Sequence, residues 1–227
     1  MAGRQERRQV MTAEFLNIAT TPNVRAVQAE MGSASVWERF EADGTPDHFS
    51  ARETAFIAAR DHFFMASVSQ TGWPYVQHRG GPAGFLNVLD DRTLAFADYR
   101  GNRQYISTGN LRGDDRVALI LLDHAQQRRL KIYARVEFLP ADPQTELAGQ
   151  VLSPGYRARP ERIVLMRLVA FDWNCPQHIT PRFTEDEIID ALHGVRDRLT
   201  SLEQDNARLR AELALASRQA DRQGDQP

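Results

Sequence analysis

The sequence predicts a mainly β fold with flanking helices, an antiparallel barrel or sandwich, followed by one C-terminal coiled-coil helix. Two observations predict it. About seven strand-like runs follow one another at short spacing with turns between them. Too few helices intervene for a doubly wound parallel sheet, which needs a crossover at each step. Beyond residue 183 the pattern changes to an apolar heptad.

The elements follow in chain order. Residues 1–22 start basic, lack a hydrophobic signal region and read as a flexible leader. The barrel domain is read over residues 23–183. Residues 23–40 are mixed and helical in part. Ser50 and Glu53 have capping-box spacing and mark a firm helix start, continued by Ala55, Phe56, Ala58 and Ala59. The period then switches to two: Phe64, Ala66 and Val68 alternate with Met65, Ser67 and Ser69. Gln70, Thr71 and Gly72 turn the chain into a second strand, Tyr75–Arg79. Phe85–Leu89 is a third strand, closed by Asp90-Asp91-Arg92, and Thr93–Ala97 a fourth. Val117–Leu122 is almost wholly apolar and reads as a buried strand. Leu130–Phe138 follows, with Ile132, Ala134, Val136 and Phe138 on one face. Asp142 beside Pro143 signals a helix start, and Ile163–Phe171 is the last strand.

Thr184 and Glu187 form another capping box. From there Ile188, Leu192, Val195, Leu199, Leu202, Asn206, Leu209 and Leu213 recur alternately by four and three. This predicts a helix over 184–216, and Asn206 in its seam favours a parallel two-stranded coil. Residues 217–227 turn polar and read as a disordered tail.

Composition excludes several functions. The net charge of -2 gives no general attraction to nucleic acid or to a membrane surface. Cys175 is the only cysteine, so neither an intrachain disulfide nor a cysteine-rich zinc site is available, which fits a reducing cytoplasm. No apolar run has the length of a membrane span. The histidines form no HxH or HExxH pattern, and no phosphate-binding P-loop or dinucleotide fingerprint is present.

Four stretches carry candidate chemistry. In the second strand Gln77, His78 and Arg79 run straight into Gly80, Gly81, Pro82 and Gly84. Polar groups in a row need hydrogen-bond partners, and glycines permit close backbone approach, so a bound polar ligand is expected. Asp98 to Gln104 precedes a short helical stretch, Tyr105 to Leu111. Asn102 reads as its N-cap, and Arg100 and Arg103 add charge where helix amides attract anions. Arg129 and Lys131 share a strand face and would neutralise a phosphate from a second side if that face adjoins the Asn102 turn. Trp173, Asn174, Gln177 and His178 combine a flat aromatic with side chains able to address a ring edge.

These residues resemble the pyridoxamine 5′-phosphate oxidase-like family of FMN-binding split barrels. The resemblance rests on the ordered motifs FFMASVS, YVQHRGG, FLNVLDDRTLAFADYRGNRQ, STGNL, RVALILL and RRLKIYARVEF, and covers roughly residues 50–183. WNCPQHI at 173–179 is similar to the C-terminal signature of one branch. The resemblance implies a homodimer with FMN at the subunit interface. Gln77, His78 and Arg79, with Gly80 and Gly81, would meet the flavin and its phosphate tail. Asn102, Arg103 and Gln104 match the turn that would grip the phosphate, with Arg100 adding charge beside it. Lys131 would stand beside ring or phosphate, and Trp173, Asn174, Gln177 and His178 would approach from the C-terminal side. The chain lacks the Arg and His spaced two apart after a Trp that mark the vitamin B6 oxidases, so a different small molecule is expected as substrate. Any proton transfer would fall to His78 or His178. Deazaflavin or haem binding, and a non-catalytic module recruiting a partner through the coil, are the alternatives.

Overall fold

The structure is a computed structural model that describes residues 13–37, 45–174 and 177–224. It divides into two units, one running to Thr180 and one from Pro181 onward.

In the first unit, β1 (His62–Val68), β2 (Pro74–Gly80), β3 (Asn87–Asp90), β4 (Thr93–Tyr99), β5 (Arg116–Asp123), β6 (Arg128–Pro140) and β7 (Pro160–Asn174) form one sheet. Its order is β2-β1-β5-β6-β7-β4-β3. Every neighbouring pair is antiparallel. The sheet does not close, leaving β2 and β3 as its edges. Phe63 and Met65 of β1 point inward with Leu119, Leu121, Leu130, Ile132 and Trp173 to form the main core. β6 and β7 are long enough, at 13 and 15 residues, to pass a bulge between Tyr133 and Ala134. Beyond it β7 lends Ile163 and Leu165 to a second, smaller core under a short helix, α6 (Glu146–Val151).

The remaining helices of this unit are α1 (Ala13–Ala19), α2 (Pro22–Glu30), α3 (Ala34–Trp37), α4 (Ala51–Ala58) and α5 (Ile106–Gly113). α4 starts at the Ser50–Glu53 capping box. Burial works to raise the Glu53 pKa, yet hydrogen bonds from Ser50 and from Trp173 outweigh it and hold the carboxyl below its ordinary value.

Several expectations change. The leader is not unstructured over residues 13–19: α1 docks through Phe15, which is buried and stacked on Tyr133 of β6 at 4.5 Å. One apolar side chain with a flat partner is enough to anchor two turns. The third strand begins only at Asn87, because Phe85 and Leu86 are buried in the preceding turn. β5 alternates between core and outer face rather than burying both. Asp142 caps a turn through its carboxylate to the Gln144 amide, and α6 is capped instead by Thr145.

The second unit is one helix, α7 (Glu185–Gly224), of 40 residues. The Thr184–Glu187 box opens it, with the Glu187 amide donating to Thr184 Oγ1 at 3.2 Å and the Thr184 amide to Glu187 Oε2 at 2.8 Å. The helix runs past residue 216 to Gly224, so the disordered tail read over 217–227 is helical as far as that glycine. Arg, Gln and Ala dominate this stretch and are good helix formers. Among the described residues no helix is long and apolar enough to cross a membrane.

Candidate functional site

β2 alternates strictly. Tyr75, Gln77 and Arg79 are half-buried on one face, while Val76, His78 and Gly80 are exposed on the other. The inner face of β2 meets the turn that follows β4 and the first residues of α5. They enclose a cavity of about 200 Å³, completed by Asp98 and Glu161.

The turn has an unusual backbone. Asn102 Oδ1 accepts the Gln104 amide at 3.1 Å, which closes an Asx-turn. Arg103 (φ 63) and Tyr105 (φ 52) are both left-handed, a conformation that costs bulky residues about 1–3 kcal/mol each. Asn102 therefore does not cap α5. Tyr105 occupies the cap position and makes no side-chain cap hydrogen bond, so among the described residues the first amides of α5 keep no side-chain partner.

Charge surrounds this opening. Arg79 is held by Asp98 at 2.8 Å, and Arg162 approaches the other Asp98 oxygen at 3.3 Å. Arg79 Nε is buried and has no hydrogen-bond partner among the described residues. Ser107 Oγ donates to Gln77 Oε1 at 2.7 Å, which fixes the amide against the helix start. Tyr105 Oη donates to Glu161 Oε1 at 3.0 Å. A hydrogen bond with Tyr105, and further out the charge of Glu161, favour the charged form of Arg103. Arg100 lies 3.9 Å from Glu161. Arg79 and Arg103 line the cavity with Asp98 and Glu161, and Arg100 and Arg162 reach the same two carboxylates from outside the lining. An uncapped helix start, an orphaned guanidinium nitrogen and four arginines gathered around the opening fit a phosphate ester.

The structure brings Gln77, Arg79, Asn102, Arg103 and Gln104 to this cavity, with Arg100 at its edge. It does not bring the others. His78 lies on the outer face of β2, stacked on His62 at 5.5 Å. Gly81 is small for the protein's own packing, because a Cβ there would sit 2.8 Å from Phe85 Cβ. Gly80 likewise faces the Asp61 carbonyl and the His78 ring. Lys131 is committed to the wholly buried Asp172 at 2.6 Å and rests over the Phe15 ring, so the basic strand start does not face the Asn102 turn. Trp173 is a core residue. Its Nε1 donates to Glu53 Oε1 at 2.7 Å, and the guanidinium groups of Arg52 and Arg128 each stand 4.6 Å from its ring centre. Asn174 ends β7 opposite Arg129. Gln177 and His178 are exposed, and neither lines this cavity. Cys175 lies outside the described residues.

Sequence reasoning missed Ser107, Tyr105 and Glu161, and the role of Asp98. The signal available was β2's period of two, which puts Tyr75 with Gln77 and Arg79 and sets His78 apart.

A second depression, of about 570 Å³, lies on the outer face of the sheet. Ala66, Val68, Ala118, Tyr133 and Arg135 line it, with Ile18 of α1 at its rim. Across the β1–β2 ladder, its Ser67 and Val68 pair with Tyr75 and Pro74, so the two hollows share one strand pair.

Among curated proteins none matches this chain. Solved structures similar to it include HupZ of Group A Streptococcus (12% identity, 60% of this chain and 100% of that one, TM-score 0.45). Two others are an FMN-binding protein from Syntrophomonas wolfei (14%, 67% and 95%, TM-score 0.39) and an F420 reductase (21%, 51% and 93%, TM-score 0.37). The family model described as pyridoxamine 5′-phosphate oxidase matches residues 49–169. That match takes in the α4 cap, the β2 strand, the Asn102 turn and the first two thirds of β7, and so the chain belongs to the pyridoxamine 5′-phosphate oxidase family.

Proposed function

We propose that the protein is a flavoprotein that holds FMN by its phosphate in the cavity between β2 and α5, and acts as an oxidoreductase on a small molecule. The observation that carries this is the uncapped α5 start opening onto Arg79 Nε and Arg103 in a chain of this family. At about 200 Å³ the cavity suits the phosphate end alone, since pockets that enclose a whole drug-sized ligand run to roughly 300–1,000 Å³. The ring would then lie on the outer sheet face beside Tyr133, and a second copy of the chain would cover it. Exposed apolar side chains there, Val68 and Val76, support such a cover. A bound flavin supplies the redox chemistry. The residues of this chain bind, orient and shield it.

The test compares FMN with riboflavin by fluorescence titration of the full chain. FMN should bind at least about tenfold tighter, the worth of one or two charge-assisted hydrogen bonds. Arg103→Ala should erase most of that difference and leave riboflavin binding unchanged. Equal affinity for the two flavins would remove the phosphate assignment. Mass analysis of whatever the purified protein releases on denaturation separates FMN from a deazaflavin or haem.

A further inference from the structure

The α7 helix carries a feature that the flavin site does not explain. Its seam residues are exposed on the helix, from Leu192 at 41% to Leu213 at 69%. Seven apolar side chains in one stripe are costly to leave in water. Counting heptads from the seam, Leu192, Leu199, Asn206 and Leu213 are a positions, and Ile188, Val195, Leu202 and Leu209 are d positions.

The flanking charges decide what covers this stripe. Arg198 and Asp205 fall at g positions, Glu203 and Arg210 at e positions. Arg198, Glu203 and Arg210 have no opposite charge three or four residues away on their own helix. Asp205 is shared with Arg208 at 3.0 Å. In a parallel, in-register pair each g residue faces the e residue five positions on in the other helix. Arg198 then meets Glu203, and Asp205 meets Arg210, twice each by symmetry. Every one of these contacts joins opposite signs.

Asn206 points to the same arrangement. Parallel in-register packing sets a against a, so the two Asn206 amides face and hydrogen-bond each other. Antiparallel packing sets a against d, and Asn206 would be buried against an apolar side chain without a partner.

We propose that α7 is a self-recognition element: it pairs with α7 of a second copy as a parallel, in-register two-stranded coil. Asn206 fixes the register, and the Arg198–Glu203 and Asp205–Arg210 contacts select the copy. This does not depend on a flavin being bound.

The test uses full-length chains with exposed-surface substitutions. In a dimer of Arg198→Glu chains two carboxylates oppose each other at both copies of that contact. In a dimer of Glu203→Arg chains two guanidinium groups do. Mixing these two variants restores opposite signs at both copies of that contact. To extend the reversal to all four contacts, one chain carries Arg198→Glu and Arg210→Glu, the other Glu203→Arg and Asp205→Arg. Each variant alone then opposes like charges at all four contacts. Mixed, the two variants set Glu against Arg wherever a substituted residue meets a substituted one, and the native residues left on each chain face charges of their own sign no longer.

 In the mixed pair of the two single variants, Arg198→Glu and Glu203→Arg, both copies of that contact already join opposite signs. The double variants extend this to all four contacts and enlarge the effect.

After co-refolding differently tagged chains, the mixed dimer should exceed the statistical half of all dimers and outnumber the two homodimers several-fold. Raised salt should shrink the excess. A control mixing two wild-type chains should give the statistical ratio. A statistical ratio for the variant mixture overturns the proposal, as does a trimer or larger species for the wild-type chain in sedimentation equilibrium. Asn206→Leu gives an independent reading: it should broaden the oligomer distribution, and an unchanged pure dimer would remove the register role. FMN titration of the same variants separates failure here from failure of the flavin site, since none of these residues lines the cavity.

Discussion

Glu53 shows how one side chain serves two ends of the first unit. It closes the α4 capping box with Ser50 and accepts the Trp173 indole from β7, 120 residues away in sequence. Its carboxyl is depressed below the ordinary value by those donors against the pull of burial. A depressed folded-state pKa adds stability that is complete above the unfolded value of 4.5 and is lost as pH falls through the folded one. Glu53→Gln keeps an acceptor for Trp173 but removes the charge, and should cost about 1 kcal/mol near neutral pH. The gap in Tm between variant and parent should close as pH is lowered from 7 into the acid range. Two curves that stay parallel would show that the charge contributes nothing. Gly81 makes a related point. Its smallness reads in the sequence as room for a ligand, yet the room is taken by Phe85. Sequence shows that a close approach exists and is silent on what approaches.

Among the elements, β2 decides most about the site. Its alternation sends Gln77 and Arg79 to the cavity and His78 away from it, although the three are adjacent in sequence. Gln77→Ala should weaken FMN binding about fivefold through the lost Ser107 anchor, on the scale of one neutral hydrogen bond. His78→Ala should leave it within about twofold, because His78 stacks on His62 and does not line the depression beside Tyr133. Equal losses from the two variants would mean that the ligand reaches the His62–His78 end of the outer face. The strands, α4 and α7 were legible because period and capping signals are local. Ser50–Glu53 and Thr184–Glu187 needed four residues each. The start of α5 was not legible. Asn102 has the chemistry of a cap but closes an Asx-turn. The left-handed Arg103 and Tyr105 have no marker in side-chain type. Nor could Lys131 be placed from sequence, since its partner Asp172 comes from a strand 41 positions on and is paired by register alone.

For the whole molecule, the division after Thr180 matters most. Only Pro181, Arg182 and Phe183 separate the first unit from the Thr184 cap of α7. So short a connection means that once two α7 helices are joined, their sheet units can no longer diffuse apart. Each then meets the other at an effective concentration on the order of millimolar, whatever the amount of protein in solution. A ligand site completed by both copies would become insensitive to dilution. FMN affinity of the full chain should hold over about a thousandfold dilution of protein. In Leu202→Lys/Leu209→Lys, with the seam broken, it should fall as the protein is diluted. Identical dilution curves for the two would mean that the sheet units hold together without the helix. Short as it is, the Pro181–Phe183 connection is what would let a cell keep the protein scarce and still keep it whole.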